Sequence, residues 1–113
     1  MKGIDLFRLE GRVAIVTGGS KGLGESMAAG LASAGANLVL TSRHAEEVEA
    51  AARKIAREFG GEAIGVAADA TKPDDVDRVV ARTLAEFGKI DILINNAGIN
   101  IRGPIEDLSL EQF

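Results

Sequence analysis

Four short stretches of this 113-residue chain carry residue types and spacings suited to chemistry. The first, Thr17-Gly-Gly-Ser-Lys-Gly-Leu-Gly24, sets Gly18, Gly22 and Gly24 in a G-x-x-x-G-x-G pattern. Glycines so spaced allow a tight turn at Gly18, approach of a ligand to the backbone at Gly22, and close packing of a following helix at Gly24. A helix starting here would present its unpaired N–H groups to phosphate, with Ser20, Lys21 and Leu23 beside them. The second stretch, Thr41-Ser-Arg43, follows about 20 residues on and offers a planar guanidinium fork that matches phosphate oxygens. Asp69-Ala70 and Asn95-Asn-Ala-Gly98 are the third and fourth. Binding, not bond making, is what these residues suit. The chain has no Cys, no Tyr and a single His, His44, so it offers no thiolate, no phenol and no pair of imidazoles.

The elements that must position these stretches follow from the hydrophobic pattern. Val13-Ala-Ile-Val16 is a fully apolar run ending at Thr17 and the glycines, which predicts a strand buried on both faces. From Gly22 to Ala34, Leu23, Met27 and Leu31 recur at four-residue spacing with small residues between them, and Gly35 supplies a C-terminal cap. Leu38 to Thr41 is a second strand; Val48, Ala52, Ile55 and Phe59 mark the buried stripe of a second helix ending at Gly60-Gly61. Ala63 to Ala68 predicts a third strand. Thr71 then caps a helix with Pro73 in its first turn and Val76, Val79, Val80, Leu84 and Phe87 on its inward face. Ile90 to Asn95 is a fourth strand. Strands alternating with helices give a parallel, doubly wound α/β sheet in which these four strands lie in the order 3-2-1-4.

Plainer readings exist for each stretch. A glycine cluster can be a flexible turn, but one placed between a strand and a helix sits where doubly wound folds bind pyrophosphate. Asn95 and Asn96 could simply satisfy backbone at a strand end, and Arg43 and Lys21 could be solvated. Glu46, Glu47, Asp74 and Asp75 fall in or near first helical turns, where the backbone dipole favours negative charge by about 0.3 to 1 kcal/mol, so they read as solvated helix starts. His44 lacks partners for a metal or a catalytic dyad and reads as an exposed side chain.

Composition narrows the classes further. A net charge of -4 and a pI near 5.0 leave no basic stripe for nucleic acid. Neither the N-terminal segment nor any later run reaches the roughly 18 apolar residues of a membrane span, and no thiolate or imidazole cluster offers a metal site. A reducing, cytoplasmic setting is compatible with the absence of Cys.

The glycine pattern, together with Asn95-Asn-Ala-Gly98 at the end of the fourth strand and Asp69 after the third, resembles the short-chain dehydrogenase/reductase family from Gly11 to Phe113. The resemblance implies a Rossmann-type fold and a nicotinamide cofactor. It implies that Asp69, with Ala70 beside it, meets the adenine, that Asn96, Ala97 and Gly98 line the cofactor near its ribose, and that Asn95 ties its strand to its neighbours. Ser42 and Arg43 close the second strand without a carboxylate, and Arg43 with Lys21 resembles the NADP-preferring members; NADP is therefore expected rather than NAD. Residues 96 to 108 are similar to gluconate 5-dehydrogenases and related sugar-acid dehydrogenases, in which case Arg102 could meet a substrate carboxylate. A 3-oxoacyl carrier-protein reductase is the second enzymatic reading, and a non-catalytic nucleotide-binding or interaction protein the alternative of another class. Family members act on small molecules and assemble as homo-oligomers, tetramers among them.

The chain closes on Leu108-Ser-Leu-Glu-Gln-Phe113, where Ser109 and Gln112 make a capping box and Leu108 and Phe113 a hydrophobic staple. These residues open a helix whose body does not follow. The family's catalytic Ser and its Tyr-x-x-x-Lys helix have no counterpart here. Residues 1–113 are thus expected to be the NAD(P)-binding half of a longer oxidoreductase, without catalytic residues and inactive alone.

Overall fold

The structure, a computed structural model, describes residues 8–96. Strand β1 (Val13–Thr17) buries its apolar residues whichever way they point. Side chains alternate along a strand, and here Ala14 and Val16 enter one apolar cluster while Ile15 enters another. Strand β2 (Asn37–Ser42) divides in the same way, Leu38 and Leu40 to the first cluster and Val39 to the second. With both faces covered, neither strand needs a polar position in its middle. Leu38 and Leu40 are completely buried, and each contributes about 1.5 to 3 kcal/mol relative to an exposed side chain.

Strands β3 (Ala63–Ala67) and β4 (Ile92–Asn95) complete a four-stranded parallel sheet in the order β3-β2-β1-β4. This is the order expected from the alternating pattern. Helices α1 (Gly22–Ser33) and α2 (Ala45–Phe59) cover one face, giving Ala28, Ala32, Val48, Ala52 and Ile55 to the first cluster. Helix α3 (Pro73–Phe87) covers the other and gives Val79 to the second. The fold is the N-terminal part of a Rossmann-type, doubly wound sheet. Gly65 sets how closely α2 lies on it: a Cβ there would stand 2.5 Å from the Val48 carbonyl oxygen.

Helix ends follow local chemistry. At the C-terminus of α1 the Gly35 N–H donates to the Ala32 carbonyl and the Ala36 N–H to that of Leu31, a Schellman pair around Gly35 at φ 101°. Helix α2 stops at Gly60, whose φ of 78° ends the right-handed turn.

Several expectations shift in register. In α1 the buried line is Gly24, Ala28 and Ala32, one residue along from the Leu23, Met27 and Leu31 stripe; Leu23 is 69% exposed. Only small side chains fit between this helix and the strands, so the larger ones flank the contact. In α3, Val79 and Thr83 are buried and the Thr83 hydroxyl donates to the Val79 carbonyl, 2.7 Å away, while Val76 and Leu84 at the flanks are exposed. Thr71 does not cap α3. Its hydroxyl and its N–H both donate to Asp69 Oδ1, and Lys72 stands at the cap position ahead of Pro73. A carboxylate two residues back outcompetes the helix end for that hydroxyl.

Strand β4 starts two residues later than the apolar run because Asp91 is used otherwise: its Oδ2 accepts from the Val13 N–H at 2.9 Å. Ile92 and Ile94 pack on the first cluster, whereas Leu93, pointing to the α3 side, is 63% exposed. Residues 108–113, with their capping box and staple, lie outside the described residues, as does Arg102.

Candidate functional site

The register pairs Thr17 with Thr41 on one side and with Asn95 on the other, so these strands finish level at their carboxyl ends. At that edge of the sheet lies a cavity of about 460 Å³. Small-molecule sites span roughly 300 to 1,000 Å³, and in open parallel sheets they sit outside the carboxyl ends of the strands. Of the residues singled out in the sequence, Gly18, Ser20, Lys21, Ser42, Arg43, Asp69, Ala70 and Asn96 line it. Gly22, Leu23 and Gly24 do not line it; Ala97 and Gly98 lie outside the described residues.

The glycine loop leaves β1 at Thr17 and enters α1 at Gly22. Gly22 has φ 57°, and a Cβ built on it would meet nothing within 4 Å. Its outer side is therefore open, as the approach of a ligand to backbone requires. Gly24 is the opposite case. A Cβ there would stand 2.6 Å from Asn96 Nδ2 and closer still to the Gly18 carbonyl oxygen, so the loop, the helix and the end of β4 meet over a missing side chain. Lys21 at the N-cap makes no side-chain cap, which leaves the first-turn N–H groups of α1 without that partner. The caps of α2 and α3 are bare as well. What distinguishes α1 is the set of glycines around its start.

Thr17 ties β1 to the end of β4. Its hydroxyl lies 3.0 Å from Asn95 Oδ1, to which it donates, and accepts from the Asn96 N–H at 2.8 Å. Asn95 thus ties its strand to its neighbour, in line with the sequence reading, and Asn96 is fixed at the cavity wall by its own backbone. Gly19, just past β1, is held to β2 by its N–H donating to the Thr41 carbonyl, 3.2 Å away.

Charge around the cavity is mixed. Lys21 Nζ lies 3.2 Å from Glu47 Oε1, and Glu47 also lines the cavity. Among the described residues no ion pair involves Arg43. The Thr71 hydroxyl, and after it the Thr71 N–H, hold the Asp69 carboxyl below its ordinary value; burial acts the other way, and the charges of Lys72 and Arg43 add to the lowering. Asp69 is also fixed through its backbone, whose N–H donates to Asp75 Oδ2 at 2.8 Å. It is an ionised acceptor at neutral pH.

Sequence reasoning missed five lining residues: Thr41, His44, Glu47, Ala68 and Thr71. Thr41 and Ala68 follow from the strand ends they belong to. His44 and Glu47 read as solvated, and both are exposed, but the start of α2 carries them to the cavity rim. The available signal was the short step from the end of β2 at Ser42 to the start of α2 at Ala45. Among the described residues no cluster of three or more His, Cys, Asp or Glu could hold a metal, and no helix is long and apolar enough to cross a membrane.

The residues fit a phosphate-bearing ligand. Two cationic side chains, an acceptor carboxylate and Gly18 line one cavity of suitable size, and the uncapped start of α1, with its open glycine at Gly22, follows directly on the lining residue Lys21. Comparison with known proteins agrees with this geometry. Residues 12–113 match the family model described as short chain dehydrogenase. The chain is 40% identical over 111 residues to the 2-dehydro-3-deoxy-D-gluconate 5-dehydrogenase of Formosa agariphila, covering 97% of this chain and 42% of that protein. It is 46% identical over 114 residues to the gluconate 5-dehydrogenase of Gluconobacter oxydans, covering 96% and 42%. The L-sorbose reductase of Gluconobacter frateurii, solved in complex with NADPH and L-sorbose, superposes with a TM-score of 0.80 at 38% identity over 94% of this chain and 40% of that one. The chain spans about two fifths of the length of these relatives.

Proposed function

Since this chain belongs to the short-chain dehydrogenase family, we propose that residues 1–113 are the dinucleotide-binding domain of an NADP-dependent oxidoreductase acting on a sugar acid or similar small polyol. Bound in the cavity, the nicotinamide cofactor would accept or supply a hydride at a carbinol or carbonyl carbon of the substrate. The residues of this chain bind and orient. The N–H groups at the start of α1 hold the pyrophosphate, Arg43 and Lys21 the 2′-phosphate, Asp69 and Ala70 the adenine, and Asn96, Ala97 and Gly98 the ribose. No Tyr occurs in these 113 residues, so no phenol within them can exchange a proton with the substrate oxygen. That step, and with it turnover, is assigned to the part of the parent protein that its relatives have and these residues do not cover.

The observation that carries the NADP reading is Arg43 at the cavity, directly after β2, with no carboxylate at that strand end. A carboxylate there would bind the ribose diol of NAD and repel a 2′-phosphate; a guanidinium does the reverse. The solved relative that binds NADPH and L-sorbose supports both the cofactor and a polyol-like substrate. A charge-assisted contact is worth about 1.5 to 3 kcal/mol, or roughly 10- to 150-fold in affinity. Titrating NADPH and NADH against the protein and its Arg43→Asp variant tests the assignment. A preference for NADPH that Arg43→Asp inverts is the expected result, and equal affinities in the unaltered protein would overturn it.

A further inference from the structure

Lys21 and Glu47 are brought together from different elements. Lys21 is the N-cap of α1, and Glu47 lies in the first turn of α2. Glu47 has a favourable setting without any partner, because a carboxylate in a first turn faces the positive end of its own helix. Lys21 has the contrary setting: a cation at a helix N-terminus faces positive charge, and only a nearby anion offsets it. The Glu47 carboxylate, 3.2 Å from Lys21 Nζ at the cavity wall, supplies that anion. It does for Lys21 what a ligand phosphate would do. Arg43, on the neighbouring strand end, makes no ion pair among the described residues, although the Asp69 carboxylate lies near enough to feel its charge.

We infer that Glu47 is a specificity-determining residue that acts through Lys21: it engages the lysine and so lowers the preference of the cavity for a 2′-phosphorylated dinucleotide over the unphosphorylated one. This rests on the reading of the cavity as an NADP(H) site. A 2′-phosphate must take Lys21 from Glu47, whereas an unphosphorylated ribose leaves the pair undisturbed. Two-point selection results, in which Arg43 favours the phosphate outright and Lys21 contributes only what Glu47 gives up. The side chains of Lys21 and Glu47 are 72% and 41% exposed, and a pair this open to water shifts an equilibrium by no more than about fivefold.

The test measures dissociation constants for NADPH and NADH with the unaltered protein, Glu47→Gln, Lys21→Met and the double variant, at low and high salt. Glu47→Gln is expected to raise the NADPH-to-NADH affinity ratio by about two- to fivefold at low salt, less at high salt, where exposed charges are screened. In the Lys21→Met background that gain should disappear. The ratio matters because a general loosening of the loop would move both cofactors together. An unaltered protein that prefers NADPH, with a Glu47→Gln ratio that is unchanged or lower, overturns the inference and leaves the cofactor reading standing. A full gain retained with Lys21→Met also overturns it. An unaltered protein with no preference for NADPH removes the cofactor reading and this inference together.

Discussion

Gly24→Ala and Gly30→Ala place the same methyl group on the same helix and should have opposite effects. Both glycines belong to α1, and a Cβ on Gly30 would meet nothing within 4 Å. There alanine gains its ordinary advantage over glycine within a helix, about 0.5 to 1 kcal/mol, from helix propensity and a less disordered unfolded chain. At Gly24 the methyl would stand 2.6 Å from Asn96 Nδ2 and closer to the Gly18 carbonyl oxygen, whereas ordinary contact begins at 3.4 Å. The nearest obstacle is backbone, which no rotamer change can move, so helix and loop must part by about an ångström, an overpacking that typically costs about 1 to 3 kcal/mol. Setting the propensity gain against it leaves a net loss centred on about 1 kcal/mol, and at most about 2.5 kcal/mol, for Gly24→Ala. Urea unfolding followed by circular dichroism reads both variants, and NADPH titration of the same samples reads the site. The displaced loop carries Gly18 and presses on Asn96, both at the cavity, so Gly24→Ala should also lose cofactor affinity while Gly30→Ala keeps it. A Gly24→Ala protein as stable as the parent, or two variants shifted in the same direction, would refute the packing argument.

Two further outcomes are expected. Asn tolerates positive φ, so Gly22→Asn should leave the melting transition nearly unchanged while its side chain enters the open space beside the loop; a loss of NADPH affinity of roughly tenfold or more is expected, and normal binding would mean that Gly22 serves only the turn. Asp91 is held below the ordinary carboxylate value chiefly by the Val13 N–H, with Lys89 and Arg12 assisting against burial. Because its native pKa lies below the unfolded one, it stabilises the fold above about pH 4 and ceases to do so as pH falls through the lowered native value. Asp91→Asn should therefore be less stable than the parent at pH 7, with the gap closing in acid; a gap that stays constant from pH 7 to pH 3 would show that the carboxylate charge is irrelevant.

Much of this architecture was readable because its strands are buried on both sides. A run such as Val13-Ala-Ile-Val16 has no polar position to spare, and only helices on both faces of a parallel sheet account for it. With α1 and α2 on one face and α3 on the other, right-handed crossovers are consistent with the order β3-β2-β1-β4. Helix faces were harder to read. In α1 a stripe of large residues, Leu23, Met27 and Leu31, outweighs Gly24, Ala28 and Ala32 on any hydrophobicity count, yet the helix is pressed so near the strands that only the small residues fit beneath it. Size, not hydrophobicity, chose the face. Thr71 was misread for a different reason: a threonine two residues before Pro73 has the form of a cap, but Asp69 stands two residues earlier still and accepts both of its donors. Local competition of this kind depends on where a carboxylate turns, which spacing alone does not determine.

The lining of the cavity was legible for a topological reason that also explains where reading stopped. When strands run parallel, each residue that follows a strand emerges at the same edge of the sheet, so Gly18, Arg43, Asp69 and Asn96 converge although 78 residues separate the first from the last. No long-range motif is needed; four strand ends suffice. Helix starts obey a weaker rule. The first turn of α2 begins three residues beyond Ser42 and points its side chains around the helix, so whether Glu47 faces water or the cavity depends on a rotation that the sequence does not encode as a pattern. The consequence is chemical. The residues that confer cavity charge by strand position, Arg43 and Asp69, could be assigned from order alone, whereas the charge available from Lys21 depends on Glu47, a partner 26 residues away on another helix. A cofactor preference inferred from strand-end residues therefore counts Lys21 as fully available to phosphate, when part of its charge is already matched within the fold.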